Sequence, residues 1–578
     1  MAPAAKRIVR RPDASVGASL HPFPILNRLY ALRGVVSDIE LRKELAALLP
    51  PSQMKGIGEA SRLLAEAIQS GKRILIVGDF DADGATSCAL AVLALRAMGA
   101  AWVDFLVPNR FEYGYGLTPE IVALAGQSAP DVLVTVDNGI ASIAGVEAAK
   151  TAGYQVIVTD HHLPGDALPA ADAIVNPNQS GCDFPSKALA GVGVIFYVLL
   201  ATRSALREQG YFDTRSMPNL ADFLDLVALG TVADVVPLDS NNRLLVEQGL
   251  MRIRAGHCRP GIRALLQVAN RPIDRVLASD IGFAIGPRLN AAGRLDDMTI
   301  GITCLLEDDP ARALSLAAVL DDFNRDRRAI ETGMQQQAND ILVNLLADGE
   351  MGFSLCLFDP SWHQGVIGIL ASRLKERFHR PTIIFAPGDN GDIKGSGRSI
   401  PGFHLRDALD QVATLNPGLL SKFGGHAMAA GLSLAEENLD AFCEAFERVA
   451  KGLLREEDLQ ATIHSDGVLS TSDLTLDVAQ QLRHGGPWGQ AFPEPIFDGE
   501  FTLIKQRMLG GKHLKCVLSP CGDQGVVLDG IAFNVDAAAW PVPDGTVVRL
   551  AYGLDVNHYM GRDNLQLMIH YIEVVSQS

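Results

Sequence analysis

The sequence predicts an α/β protein: a doubly wound parallel-sheet domain, a long helix leading into a second α/β domain, and a small C-terminal β domain. Three observations carry that prediction. From Arg73 onward, short apolar runs alternate with longer helical stretches, the pattern of βαβ units in a parallel sheet. Residues 310–348 keep a helical pattern with no proline after the first position, long enough to connect two cores rather than sit within one. From about Gln460 the periodicity changes to short alternating runs separated by turns.

Taken in order, residues 1–50 are an N-terminal extension whose Lys6, Arg7, Arg10 and Arg11 make a basic arm; no apolar core follows them, so they are not a secretory signal. Residues 51–220 form the first α/β domain. RILIVG (73–78) is a buried strand with a helix over 86–98 behind it, and WVDFLVP (102–108) is the next strand. A helix follows, with Thr118 as N-cap and Pro119 at its first position. DVLVTV (131–136), a helix near 142–152 and QVIVT (155–159) continue the series. Residues 221–350 are helical and end in the 310–348 helix, with Asp308 and Asp309 as cap candidates. Residues 351–455 repeat the α/β pattern in FSLCLF (353–358), a helix over 366–378 and TIIFA (382–386). Residues 456–578 carry HLKCVLS, VVLDGIAF, TVVRLAYGL and LQLMIHYIEVV, runs suited to a small β-barrel or sandwich.

Composition narrows the function. The chain has 578 residues, 48% of them hydrophobic, which excludes a disordered protein. Its formal charge of -17 repels polyanions as a whole and by itself argues against nucleic acid. Eight cysteines without a CxxC pair exclude a disulfide scaffold and a zinc ribbon and suit a reducing cytoplasm. The longest apolar run, 188–201, is shorter than the roughly 18–20 residues of a membrane span.

The acidic residues carry more information than the total. Three predicted strands run out into metal-ligand chemistry: RILIVG into Asp79, Asp81 and Asp83, DVLVTV into Asp137, and QVIVT into Asp160, His161 and His162. Carboxyl ends of parallel strands share one edge, where ligands bind, so the three clusters are expected to meet. Asp81 and Asp83, two apart in an extended strand end, are expected to point the same way. Carboxylates gathered with no Lys or Arg across 74–95 need a cation from elsewhere. Oxygen ligands with an imidazole suit Mn²⁺ or Mg²⁺, and several carboxylates suit a two-ion site that activates a water and clamps phosphoryl oxygens. A single Asp after a strand is more often a cap or turn former; three clusters at successive strand ends favour the metal.

The runs GDFDADG, TVDNG, TDHH and GTVADVVPL resemble the four metal motifs of the DHH phosphoesterase superfamily. PNRFEYGYGL, IGPRLNAAGRLD, WHQGVIG, GSGRSI, FGGHAMAAGL, PWGQAFPEPIF and NHYMGRDNLQL extend the likeness over nearly the whole chain to its single-strand-specific DNA exonucleases. Phe80 departs from the usual Tyr, at no metal position. The resemblance implies that Asp81, Asp83, Asp137, His161 and Asp234 bind two ions, Mn²⁺ or Mg²⁺, with Asp137 bridging. It places His162 near the scissile phosphate, oriented by Asp160, and leaves Asp79 as a ligand or a second acceptor. The implied reaction is attack of a metal-activated hydroxide, releasing 5′-mononucleotides from the 5′ end of single-stranded DNA in repair and recombination. The implied partners are single-strand-binding protein and a helicase, and the chain is expected to act as a monomer. It also names 351–455 the DHH-associated domain and 456–578 an OB-fold.

Substrate residues follow from charge. Between Met251 and Arg294 there are eight Arg against two Asp, a basic stretch of the kind single strands need, although Arg252, Arg254, Arg259 and Arg263 have helical spacing and are equally a solvated face. Arg288, Asn290 and Arg294 are its leading candidates, and Arg110 with Tyr115 pairs a phosphate ligand with a ring. In the second domain Ser396, Arg398, Gly424, Gly425 and His426 offer the parts of an anion pocket, with Trp362, His363 and Arg373 behind them. Two other readings compete: a DHH-type oligoribonuclease or small phosphoesterase, which the 251–294 stretch and the C-terminal domain count against, and a non-catalytic scaffold, which the filled metal positions count against.

Overall fold

The computed structural model describes residues 6–12, 19–109, 112–113, 116–346, 351–388, 391–523, 525–535, 540–559 and 561–575, with side chains 344–346 excepted. Arg110 and Tyr115 lie outside the described residues. The chain forms two compact units, one of residues 14–325 with 484–494, the other of 1–13, 326–483 and 495–578.

The first unit is built on a five-stranded parallel sheet. Its order is Trp102–Leu106, Arg73–Gly78, Val132–Val136, Gln155–Thr159, Ala173–Val175. The strands read as continuous apolar runs because both faces are covered. Leu75, Val77, Leu133, Val156 and Val158 pack on one face with Ile121, Val122, Val146 and Ala149. The alternate residues Ile74, Ile76, Val132, Val134 and Ile157 are equally buried on the other. After Arg73–Gly78 the chain runs outward to the edge strand and then returns to the opposite side. The carboxyl ends of Arg73–Gly78 and Val132–Val136 therefore flank the topological switch where such sheets bind ligands.

Helix Ala82–Ala97 begins four residues before the sequence pattern places it, because Asp81 is its N-cap and accepts from Asp83 N (2.9 Å) and Gly84 N (3.0 Å). Asp83 thus stands in the first helical turn, which corrects the expectation of two carboxylates on an extended strand end. Helix Pro310–Leu346 forms as expected, and Asp309 caps it by accepting from Arg312 N. Segment 484–494 belongs to this unit: Tyr30 donates to Gly485 O, Leu238 N to Gln490 O, and the rings of Trp488 and Phe492 stack with Tyr30.

The second unit holds a mixed five-stranded sheet in the order Lys422–Gly425, Ala429–Ala435, Asp392–Arg398, Thr382–Pro387, Leu355–Phe358. Helix Ile367–Phe378, with Met334, Ala338 and Leu342 of the long helix, covers one face. Helices Leu405–Leu415 and Leu439–Leu453 cover the other. The C-terminal strands Phe497–Leu509, His513–Pro520, Leu528–Ala532, Arg562–Val574 and Val547–Tyr559 close into a barrel, which decides between the barrel and the sandwich. The basic arm is a strand: Lys6–Arg10 pairs in parallel with Ala461–Ser465, and Arg10 and Arg11 form ion pairs with Asp498 and Asp466. No helix among the described residues is long and apolar enough to cross a membrane.

Candidate metal centre

Register brings the acidic clusters together. Gly78, Val136, Thr159 and Val175 are aligned across four adjacent strands, so Asp79, Asp137, Asp160 and Asn176 are the first residues beyond one common edge. Asp137 turns there at φ 61°, a left-handed conformation uncommon outside glycine. Two close approaches depend on real glycines: a Cβ at Gly84 would lie 2.4 Å from Asp79 O, and one at Gly191 2.6 Å from Asp137 Cβ.

Each ligand candidate is delivered by a different local device. Asp83 is buried, its Oδ2 accepting from Gly191 N (2.6 Å) and Oδ1 from Val192 N (2.9 Å) at the start of helix Gly191–Glu208. Asp234 closes helix Leu224–Ala233. His161 Nε2 lies 3.1 Å from Asp137 Oδ1 and 3.5 Å from Asp234 Oδ2. Ligand atoms of Asp79, Asp81 and Asp137 all lie within 4.8 Å of one another; so do those of Asp83, His161 and Asp234, and those of Asp137, His161 and His162. Every metal-ligating residue expected from the sequence falls in this cluster, and so does Asp79.

The electrostatics suit a cation. Burial, followed by the charges of Asp83, Asp81, Asp234 and Asp79, pushes Asp137 well above the usual carboxylate range. Burial, then Asp83, Asp81 and Asp79, does the same to Asp234. Burial and the Asp81 charge raise Asp83 to about 7. Burial and neighbouring His162 lower His161 to about 4, which keeps its ring neutral and able to ligate. Hard oxygen donors with imidazole, in mutual repulsion, fit Mn²⁺ or Mg²⁺.

Asp160 is a holder. Its Oδ1 accepts from His161 N, His162 N and His162 Nδ1 (2.8 Å), and its Oδ2 accepts from Ile140 N. Burial opposes the anion, but the His162 hydrogen bond and charge and these N–H groups outweigh it and lower Asp160. Burial likewise opposes the His162 cation, but Asp160, Asp79 and Asp81 raise it.

Three asparagines complete the edge and were not singled out from sequence. Asn138 donates to Val77 O and Val136 O, tying two strand ends. Asn176 donates to His162 O and Asn178 to His161 O. The signal for Asn176 and Asn178, NPNQ after the three-residue strand Ala173–Val175, follows a strand too short for periodicity to reveal; Asn138 lies in the TVDNG run.

Of the substrate candidates, Asn290 reaches the centre, its Oδ1 accepting from Ala82 N at 2.8 Å. Arg294 is partly exposed one turn further along. Arg288 is buried, paired with Asp321 and donating to Ala284 O. Arg252, Arg254, Arg259 and Arg263 also bond to acceptors within the unit, so the 251–294 stretch offers less charge to a phosphate than its sequence suggests. In the second unit, Arg398 donates to Ser396 Oγ, and a Cβ at Gly368 would lie 2.9 Å from both Arg398 Nη2 and Ser396 Oγ. These groups therefore sit against the first turn of helix Ile367–Phe378, whose N–H groups favour anions. The hairpin of Gly424, Gly425 and His426 leads into Ala429, the register partner of Arg398. His363 Nδ1 accepts from Gly365 N before the same helix, and Arg373 is bound to Glu331. Trp362 is corrected to a core residue: it is 3% exposed and its Nε1 donates to Gln337, so it presents no ring to a ligand.

Three family models match separate parts of the chain. Residues 73–231 match the DHH family N-terminal domain, 350–452 the DHHA1 domain and 465–571 the RecJ OB domain. The single-stranded-DNA-specific exonuclease RecJ of Escherichia coli (strain K12) is 56% identical over 95% of this chain and 96% of its own length. Crystal structures of RecJ from Thermus thermophilus superpose with TM-score 0.80 in complex with Mn²⁺ and 0.75 in complex with Mg²⁺. They are 31% and 30% identical, and the matches cover 98% and 99% of this chain and 79% of each of theirs.

Proposed function

The chain belongs to the RecJ family of single-stranded-DNA-specific exonucleases, and on that premise we propose how its own residues carry the reaction. Asp79, Asp81 and Asp137 would hold one divalent cation, and Asp83, His161 and Asp234 a second, with Asp137 within reach of both. The observation that supports this reading is the meeting of those ligand sets at one register-aligned sheet edge. Mn²⁺ or Mg²⁺ bound there supplies ionisation of a water near neutral pH and neutralisation of charge on the phosphoryl oxygens.

The protein's share is positioning and proton supply. Asp160 holds His162 through Nδ1, which leaves Nε2 to give a proton to the departing 3′-oxygen. Asn176 and Asn178 fix the two histidine carbonyls. Asn290 and Arg294 take the strand beside the centre; Arg110 and Tyr115 are further strand-contact candidates from the sequence. Ser396, Arg398, Gly424, Gly425 and His426, backed by His363 and Arg373, take the terminal 5′-phosphate, which sets the direction as 5′ to 3′ and releases 5′-mononucleotides. The barrel offers a single-strand grip of its own. Family membership supports a cytoplasmic monomer working in repair and recombination beside single-strand-binding protein and a helicase.

The test is digestion of single-stranded DNA labelled at either end, with duplex DNA and RNA alongside, in Mn²⁺ or Mg²⁺. Mononucleotides are expected first from the 5′ label. First loss of the 3′ label, or equal digestion of duplex, would overturn the reading.

A further inference from the structure

Phe283 is the most exposed of the Phe, Tyr and Trp side chains among the described residues, at 79%. Its place in the fold explains the exposure. Ile281–Ile285 form a π-helical turn that runs straight into helix Gly286–Leu295. Such turns fit an extra residue into the helical path and concentrate at functional sites. Here Ile281, Ala284 and Ile285 stay buried while Phe283 is turned outward.

The helix is pinned across the metal centre along one face. A Cβ at Gly282 would lie 3.5 Å from Val232 Cγ1, and one at Gly286 3.3 Å from Ala233 Cβ. Further along, Asn290 bonds Ala82 N, and a Cβ at Gly293 would lie 1.8 Å from Phe80 O. Val232 and Ala233 lead directly into Asp234, and Phe80 and Ala82 flank Asp81. The line of this helix that retains exposure is Phe283, Pro287, Asn290 and Arg294, at helical spacing. It begins with an aromatic plane, passes the centre at Asn290 and ends with a guanidinium. Beside it Val235, the residue after Asp234, is 63% exposed at φ 61°, a strained conformation for a β-branched side chain.

We propose that Phe283 is a stacking platform for one base of the substrate strand. The proposal rests on the single-strand nuclease reading and adds a specificity residue to it. Phe283 lies roughly 10 Å along the helix from Asn290, so the base it holds is not the one at the scissile bond. A base inside a duplex has both faces covered by its neighbours, whereas a splayed strand offers a free face. The ring therefore selects unpaired strands without reading their sequence.

The test uses the full chain in Mn²⁺ with Phe283→Ala, Phe283→Leu and Phe283→Trp. For a long single-stranded oligomer, Phe283→Ala and Phe283→Leu are expected to raise KM about tenfold with kcat and Mn²⁺ affinity little changed. Phe283→Trp should behave as the parent. A dinucleotide, too short to reach the ring, should be hydrolysed equally by all. Phosphorothioate oligomers carrying 2-aminopurine at successive positions should show quenching at one internal position with the parent and Phe283→Trp, absent in the other two. An unchanged KM in Phe283→Ala, full function in Phe283→Leu, or an equal loss on the dinucleotide would overturn the stacking role. If the parent left single strands intact, the nuclease reading would fail instead, and the 2-aminopurine titration would still decide the contact.

Discussion

His162 Nδ1 lies 2.8 Å from Asp160 Oδ1, and the same carboxylate accepts the backbone N–H groups of His161, His162 and Ile140. Four donors on one buried anion fix the ring before any substrate arrives. Asp160→Asn keeps the shape but removes the charge and half the acceptors. Its kcat should fall about 10- to 100-fold, the usual cost of losing a group that orients an active-site histidine, with bound Mn²⁺ retained. Steady-state kinetics and metal content check this; loss of the metal would make Asp160 a ligand.

Asp83 holds its proton up to about pH 7 because burial and the Asp81 charge disfavour its anion, and Asp137 and Asp234 are shifted the same way. A carboxyl group raised on folding stabilises fully below its unfolded value, and that contribution is lost as pH rises through the folded value. Metal-stripped protein should therefore be more stable at pH 5 than at pH 8, by about 2–3 kcal/mol from Asp83 alone. Saturating Mn²⁺, which binds the anions, should raise the melting temperature most at pH 8. Thermal melts in chelator and in Mn²⁺ at both pH values check the sign.

Asn176 is fully buried, donating to His162 O and accepting from Asn178 N at 2.7 Å. Asn176→Ala should cost about 1–3 kcal/mol, because both partners lose a hydrogen bond in the interior. Activity should drop further than the melting curve alone explains, since the His162 carbonyl is released. Denaturant titration and kcat at a temperature well below the transition separate the two effects.

Arg10 joins the N-terminal strand to the second unit by two-pronged contact with Asp498, which also accepts from Ser465 Oγ. Burial would raise Asp498, but its hydrogen bonds to Arg10 and Ser465 lower it. A depressed carboxyl contributes stability above its unfolded value, lost as pH falls through the folded one. Arg10→Ala should destabilise by about 1 kcal/mol near neutrality, since the guanidinium is largely exposed, and by less near pH 3. Unfolding of the variant and parent at both pH values measures the difference.

Most of the candidate metal centre was legible because Asp79, Asp81, Asp83, Asp137 and His161 follow strand ends in sequence, and strand ends in a parallel sheet converge by topology; Asp234 closes a helix and was legible only through the resemblance of its motif. The side chains that hold those ligands were less so. Asp83 owes its place to the first turn of a helix and to the N–H groups of Gly191 and Val192, more than a hundred residues away. Periodicity does not encode such pairings, nor the parallel pairing of Lys6–Arg10 with Ala461–Ser465. Arginine counts misled in 251–294 for a related reason: a guanidinium bound to a helix-end carbonyl, as in Arg259, looks in sequence like one offered to a phosphate. Phe283 could not be distinguished from a core residue until the π-helical turn placed it outside.

The central proposal is a single acidic centre that would hold two divalent cations, with Asp137 within reach of both. Manganese bound per chain at saturation, in the parent and in Asp137→Ala, tests it most directly. Two ions in the parent and loss of both in the variant are predicted. One ion in the parent, or two retained in the variant, would contradict the account.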